Sequence, residues 1–144
     1  MSIQEYLKRP RDDCFDREQC VEEISSRYFD SLDSWKFAAS SSPVLVTIVI
    51  FYVPWCHHCK ELHDVFCEVS RLAVFASFVA FNCEKQCKHF EKISHDMPFL
   101  VKTFPTVIGY IDQVPVEEFK GEQTVDALVQ FAARLTVCGQ IYLK

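Results

Sequence analysis

The residues of this chain best placed to do chemistry are two cysteines in the run Trp55-Cys56-His57-His58-Cys59-Lys60. A Cys-x-x-Cys pair carries out thiol–disulfide exchange when one sulfur is held as a thiolate and the other attacks the mixed disulfide that the first one forms. In that chemistry Cys56 is the expected nucleophile and Cys59, one turn further in, the resolving thiol. His57 and His58 lie between them. An imidazolium there stabilises the Cys56 thiolate and with it the reduced protein, which makes the disulfide a stronger oxidant. His58 is expected to contribute more than His57. Taken alone, the two cysteines would also fit a structural disulfide or half of a zinc site, so the elements around them must decide.

Those elements favour a reactive thiol. Val44 to Val53 (VLVTIVIFYV) is almost wholly β-branched or aromatic, as expected of a strand buried on both faces. From Cys56 to Ala76 the residues Leu62, Val65, Phe66, Val69, Leu72 and Ala73 form the buried stripe of a helix. Cys56 therefore falls where strand gives way to helix. Unpaired backbone N–H groups and the positive end of the helix dipole stabilise an anion at such a point.

Further elements follow in order. Tyr28 to Ser42 reads as a short first helix, Ser77 to Asn82 as a second strand, and Lys85 to Met97 as a polar helix ending at Pro98. Thr106 to Ile111 and Val114 to Phe119 read as an antiparallel hairpin across Asp112 and Gln113, and Val125 to Leu135 as a final helix. Parallel crossovers followed by an antiparallel edge imply an α/β fold, a three-layer sandwich whose central mixed sheet is flanked by helices. The domain is expected over residues 25–137, with a charged arm over 1–24 and a tail over 138–144.

The segment TIVIFYVPWCHHCKEL resembles the active-site segment of protein disulfide isomerase catalytic domains, in which glycine usually stands where this chain has His57. Phe104-Pro105-Thr106 is similar to that family's aromatic-Pro-Thr loop, and Pro105 follows Cys56 by 49 residues, a spacing that suits the family. The resemblance spans roughly residues 25 to 135. It implies a thioredoxin-like fold and a redox-active Cys56–Cys59 disulfide with no organic cofactor and no metal. It also implies a cis proline at 105 facing the cysteines, beside which an extended polypeptide adds strand to strand, with Trp55, Phe104, Pro105 and Thr106 as the substrate-binding residues. The implied partners are unfolded or disulfide-bonded proteins, with glutathione or another thiol oxidoreductase exchanging electrons, and the implied state is a monomer.

The chain departs from the family at three positions. Ile50 stands where the family has a buried acid, Ala80 where it has the paired lysine, and Gln123 where it usually has an arginine near the inner cysteine. Losing both members of a buried ion pair is often neutral, whereas losing one strands a charge. Without that carboxylate, Cys59 needs another proton acceptor; His63 is a candidate relay, and slow reoxidation is expected.

Composition narrows the alternatives. At 144 residues, 49% hydrophobic and with three glycines, the chain suits one packed domain. A net charge of −5 without basic runs gives no phosphate-binding surface, so nucleic acid is not an expected partner. The longest apolar run, Pro43 to Pro54, is about 12 residues against the ~20 of a membrane span, so no membrane partner is expected. Eight cysteines point to redox or metal chemistry. Cys14 with Cys20, or Cys83 with Cys87, would make a second disulfide; Cys83, Cys87 and His89 are the residues of a zinc alternative; Cys67 and Cys138 read as spectators. A redox-inert module that holds clients through Phe104-Pro105 is the rival reading. Met1 to Pro10 has no apolar signal core, so the endoplasmic reticulum or secretory pathway is expected if a signal was removed, and the cytoplasm otherwise.

Overall fold

In a computed structural model, residues 21–24, 44–85, 101, 103–112 and 114–142 are described. The strands among them are β1 (Glu22–Ile24), β2 (Val46–Tyr52), β3 (Ala76–Asn82), β4 (Thr106–Ile111) and β5 (Val114–Glu118), and the helices are α1 (His57–Leu72) and α2 (Val125–Tyr142). The sheet order is β1-β3-β2-β4-β5. β3 runs parallel to both β1 and β2, whereas β2–β4 and β4–β5 are antiparallel. This mixed sheet with its helices is the thioredoxin-like α/β fold.

β2 is the central strand, and all seven of its residues are buried. One face of the sheet packs Val46, Ile48, Ile50 and Tyr52 against Leu62, Phe66 and Val69 of α1 and against Leu128, Phe131 and Leu135 of α2. Val49, Phe51, Val79, Phe81, Ile108 and Tyr110 form a second buried cluster, so neighbouring β2 residues alternate between two cores. The helices expected over 28–42 and 85–97 lie outside the described residues, apart from Lys85. α1 buries Cys59, Leu62, His63, Phe66, Cys67 and Val69, one stripe at helical spacing, and Phe66 meets Phe78 edge-on at 5.4 Å.

The observed elements differ from the expected ones in three places. α1 stops at Leu72: Ala73 closes it by donating its N–H to Val69 O, and Ala76 is buried as the first residue of β3. β1 falls inside the stretch assigned to the arm, where Val21 and Ile24 are the buried apolar residues among the described ones, too few to make a pattern. α2 runs on to Tyr142, through positions assigned to the tail; exposed Val137 and Ile141 gave no stripe to extend. The β4–β5 turn holds Asp112 at φ 56°, a left-handed conformation that aspartate tolerates in tight hairpins. Pro115 sits in β5, an edge strand, where a missing N–H does least harm.

Candidate active site

β2 delivers the chain to Cys56 through a turn in which the Cys56 N–H bonds Val53 O at 3.2 Å. Cys56 is the N-cap of α1, extended at φ −77° and ψ 123°. No side chain caps this helix end, and its first turn carries no acidic residue. The positive end of the α1 dipole thus meets a sulfur and no carboxylate.

The loop before β4 closes the site from the other side. The Phe104–Pro105 peptide bond is cis, and the Cys56 thiol donates to Phe104 O at 3.6 Å. Thr106 pins the loop by donating its hydroxyl to Thr103 O at 2.6 Å, and its backbone pairs with Phe51 of β2. The fold therefore brings Cys56 together with Phe104, next to Pro105, across 48 residues of sequence. Cys56 and Cys59 are both free thiols, Cys56 partly open and Cys59 fully buried. Trp55 stands beside them 57% exposed.

His57 and His58 are exposed, and Glu61 engages both: His57 Nε2 lies 3.0 Å from Oε1 and His58 Nδ1 3.5 Å from Oε2. Glu61 escaped the sequence reading, although its i,i+4 and i,i+3 spacing to the two histidines is the spacing that puts side chains together on a helix.

Beneath Cys59 the site is apolar. Ile50 and Ala80 are register partners on β2 and β3, both fully buried in the cluster that includes Cys59. The two departures from the family pattern are thus neighbours, an apolar pair where an ion pair would stand. Gln123 is exposed. In His63, the candidate relay, Nδ1 lies 3.0 Å from Asp64 Oδ1 and Nε2 3.5 Å from Cys67 Sγ.

Among the other cysteines, Cys83 is a free buried thiol at the end of β3, so no disulfide joins it to Cys87. Burial, and secondarily the nearby Cys59, pushes the Cys83 thiol well above its ordinary range. Cys67, read as a spectator, is disulfide-bonded. Cys14, Cys20, Cys87 and His89 lie outside the described residues. Among the described residues no group of three or more His, Cys, Asp or Glu is placed to hold a metal, and no helix is long and apolar enough to cross a membrane.

Comparison with known proteins agrees with this geometry. The thioredoxin family model matches residues 31–134. Protein disulfide isomerase-like 5-2 of rice (Oryza sativa subsp. japonica) is 29% identical over 99 residues, covering 69% of this chain and 23% of its own length. Protein disulfide isomerase-like 1-4 of the same plant is 32% identical over 96 residues, covering 66% of this chain and 16% of its own. The chain thus spans less than a quarter of either relative. Among solved structures, the J-Trx1 fragment of ERdj5 superposes with a TM-score of 0.68 at 18% identity, covering 94% of this chain and 61% of that one. By family model and sheet order together, the chain belongs to the thioredoxin family, and its curated relatives are protein disulfide isomerase-like proteins.

Proposed function

We propose that the chain is a thiol–disulfide oxidoreductase acting on protein disulfides, with Cys56 as nucleophile and Cys59 as resolving thiol. The observation that carries this reading is the Cys56 thiol at the uncapped start of α1, 3.6 Å from Phe104 O beside cis Pro105. In reduction, the Cys56 thiolate attacks a substrate disulfide, one substrate sulfur leaves as a thiolate, and Cys56 holds the other in a mixed disulfide. Cys59 loses its proton and attacks Cys56 Sγ, and the second substrate thiolate leaves. The two electrons end in the substrate, and the domain keeps a Cys56–Cys59 disulfide. Oxidation of a client dithiol is the same path reversed, and isomerisation uses Cys56 twice without net electron transfer.

Two histidines between the cysteines favour the oxidising and isomerising directions, because imidazolium charge near Cys56, His58 foremost, stabilises the reduced form. Substrate is a polypeptide laid along residues 103–106 as an added strand, with exposed Trp55 and half-buried Phe104 as apolar contacts. Glutathione or another thiol oxidoreductase resets the pair, no organic cofactor or metal takes part, and the domain acts as a monomer. Likeness to protein disulfide isomerases favours an oxidising compartment, the lumen of the endoplasmic reticulum.

Insulin reduction and refolding of scrambled ribonuclease test the reading. Activity abolished by Cys56→Ser, with a client mixed disulfide trapped by Cys59→Ser, is the expected result. The Ile50–Ala80 pair favours a second reading, a client-binding module without turnover. Absence of activity in both assays, with unfolded protein still bound, would establish it in place of the first.

A further inference from the structure

Two influences meet at Cys56 Sγ, and they act in opposite directions on its proton. From one side the uncapped start of α1 presents the positive end of the helix dipole, with no acidic residue in the first turn, and so favours the anion. From the other side stands the Phe104 carbonyl, to which the Cys56 thiol donates at 3.6 Å. A carbonyl oxygen only accepts hydrogen bonds, so it favours the protonated sulfur. Once the proton has left, sulfur and oxygen face each other as two negative ends, and the contact turns from attractive to repulsive.

The loop gives the anion no donor of its own at the next two residues. Pro105 has no N–H, and the Thr106 hydroxyl is committed to Thr103 O at 2.6 Å. The oxygen is also held in place. Thr106 pairs with Phe51 of β2, and Phe104 packs against both buried clusters, as Cys56 itself does. The scaffold thus fixes sulfur and carbonyl opposite each other. The titratable neighbours are His57 and His58 on α1, both engaged by Glu61, then Cys59 one turn further in, and Cys83 in the cluster against which Cys56 packs.

We propose that the Phe104 carbonyl is a client-operated latch on the nucleophile: it biases Cys56 toward the thiol while the loop is empty, and a docked client strand releases the proton by placing a backbone N–H on the same oxygen. The inference rests on the reading that clients add as a strand along residues 103–106. On docking, the client amide donates to Phe104 O, and its positive hydrogen offsets the negative end that the sulfur faces. The helix end then prevails, the Cys56 S–H bond breaks, and the proton passes to water at the partly open sulfur. No electrons move in this step; exchange begins when the thiolate attacks. An empty domain thereby keeps its nucleophile in the less reactive form, and an occupied one arms it beside the polypeptide.

The test uses the full chain carrying Cys59→Ala, which leaves Cys56 as the titrating thiol of the pair, and insulin B chain with carbamidomethylated cysteines, a polypeptide that can dock but not exchange. Binding is read by fluorescence anisotropy of the labelled peptide. Thiolate is read by far-ultraviolet absorbance at fixed pH, as the difference from the same chain with Cys56→Ser and the same peptide. Where Cys56 is mostly thiol, saturation with peptide is expected to raise the thiolate fraction about threefold, the scale of one modest hydrogen bond. By linkage the peptide then binds about threefold more tightly above the Cys56 titration than below it. Cys56→Ser keeps a hydroxyl donor but does not ionise, so it loses this dependence while His57, His58 and Glu61 remain. A peptide that merely buried the sulfur would act with the opposite sign, since burial disfavours the charged form. A thiolate fraction that falls or stays level while the peptide binds overturns the latch and leaves the docking reading standing; absence of binding overturns both. Should Cys59→Ala fail to fold, Cys59→Ser gives the same readout.

Discussion

At Glu61 a single carboxylate sits between the two imidazoles that separate Cys56 from Cys59, 3.0 Å from one ring and 3.5 Å from the other. All three side chains are exposed, so the coupling is weak and screened by salt. It still opposes the charge that protonated histidines would lend to Cys56. Glu61→Gln is expected to raise the rate of Cys56 alkylation by iodoacetamide about two- to threefold at pH ~6 and low salt, and the gain should vanish near ~1 M salt. Equal rates at low salt would mean that neither histidine acts on Cys56. Cys56 and Cys59 were legible as a short-range motif because an apolar strand precedes them, a helix stripe follows and Phe104-Pro105-Thr106 stands downstream. His63 and Cys67 share the equally simple spacing of four, yet a histidine and a cysteine on a helix mean little until burial turns both inward and a disulfide claims the sulfur.

Among the elements, the pairing of β2 with β3 decides what surrounds Cys59. The parallel register sets Ile50 opposite Ala80, so a carboxylate and an ammonium introduced there would meet each other. Ile50→Glu alone buries an uncompensated charge and is expected to cost about 3–5 kcal/mol, most of it recovered when Ala80→Lys supplies the partner. Denaturant unfolding of the four proteins in this cycle measures the coupling. Stopped-flow reoxidation by oxidised glutathione measures its consequence: the double variant should outpace the parent, and an unchanged rate would mean that proton transfer at Cys59 is not limited by the missing carboxylate. Strands were readable where both faces are apolar, as in β2, because side-chain type and burial agree there. The end of α1 was not, since Ala73 and Ala76 are apolar for reasons of capping and sheet entry, and three-residue β1 offers no periodicity at all.

For the molecule as a whole, two buried acids link stability to pH. Burial raises Tyr110 well above its ordinary range, and burial with the proximity of Cys59 does the same for Cys83. In the unfolded chain such groups lose their protons from about pH 9 and 10 upward, while the folded protein keeps them. The unfolded state then binds fewer protons than the folded one, so this contribution is fully present below about pH 9 and is lost as pH rises. Urea unfolding at pH 7.5 and pH 10 should show a falling midpoint, and Cys83→Ala should reduce the fall by up to one proton's share, about 1.4 kcal/mol per pH unit. A slope identical to the parent's would remove Cys83 from the account. The order of elements along the chain was enough to foresee a mixed sheet, because crossover handedness and hairpin length leave few ways to arrange it. Pro115 carries one last consequence. With no amide hydrogen to offer, it leaves a gap in the donor row along the rim strand, and Glu117 and Glu118 follow it there. Two copies meeting along that rim could not zip into a continuous ribbon without leaving an acceptor stranded, so crowding of the domain should not polymerise it from this side.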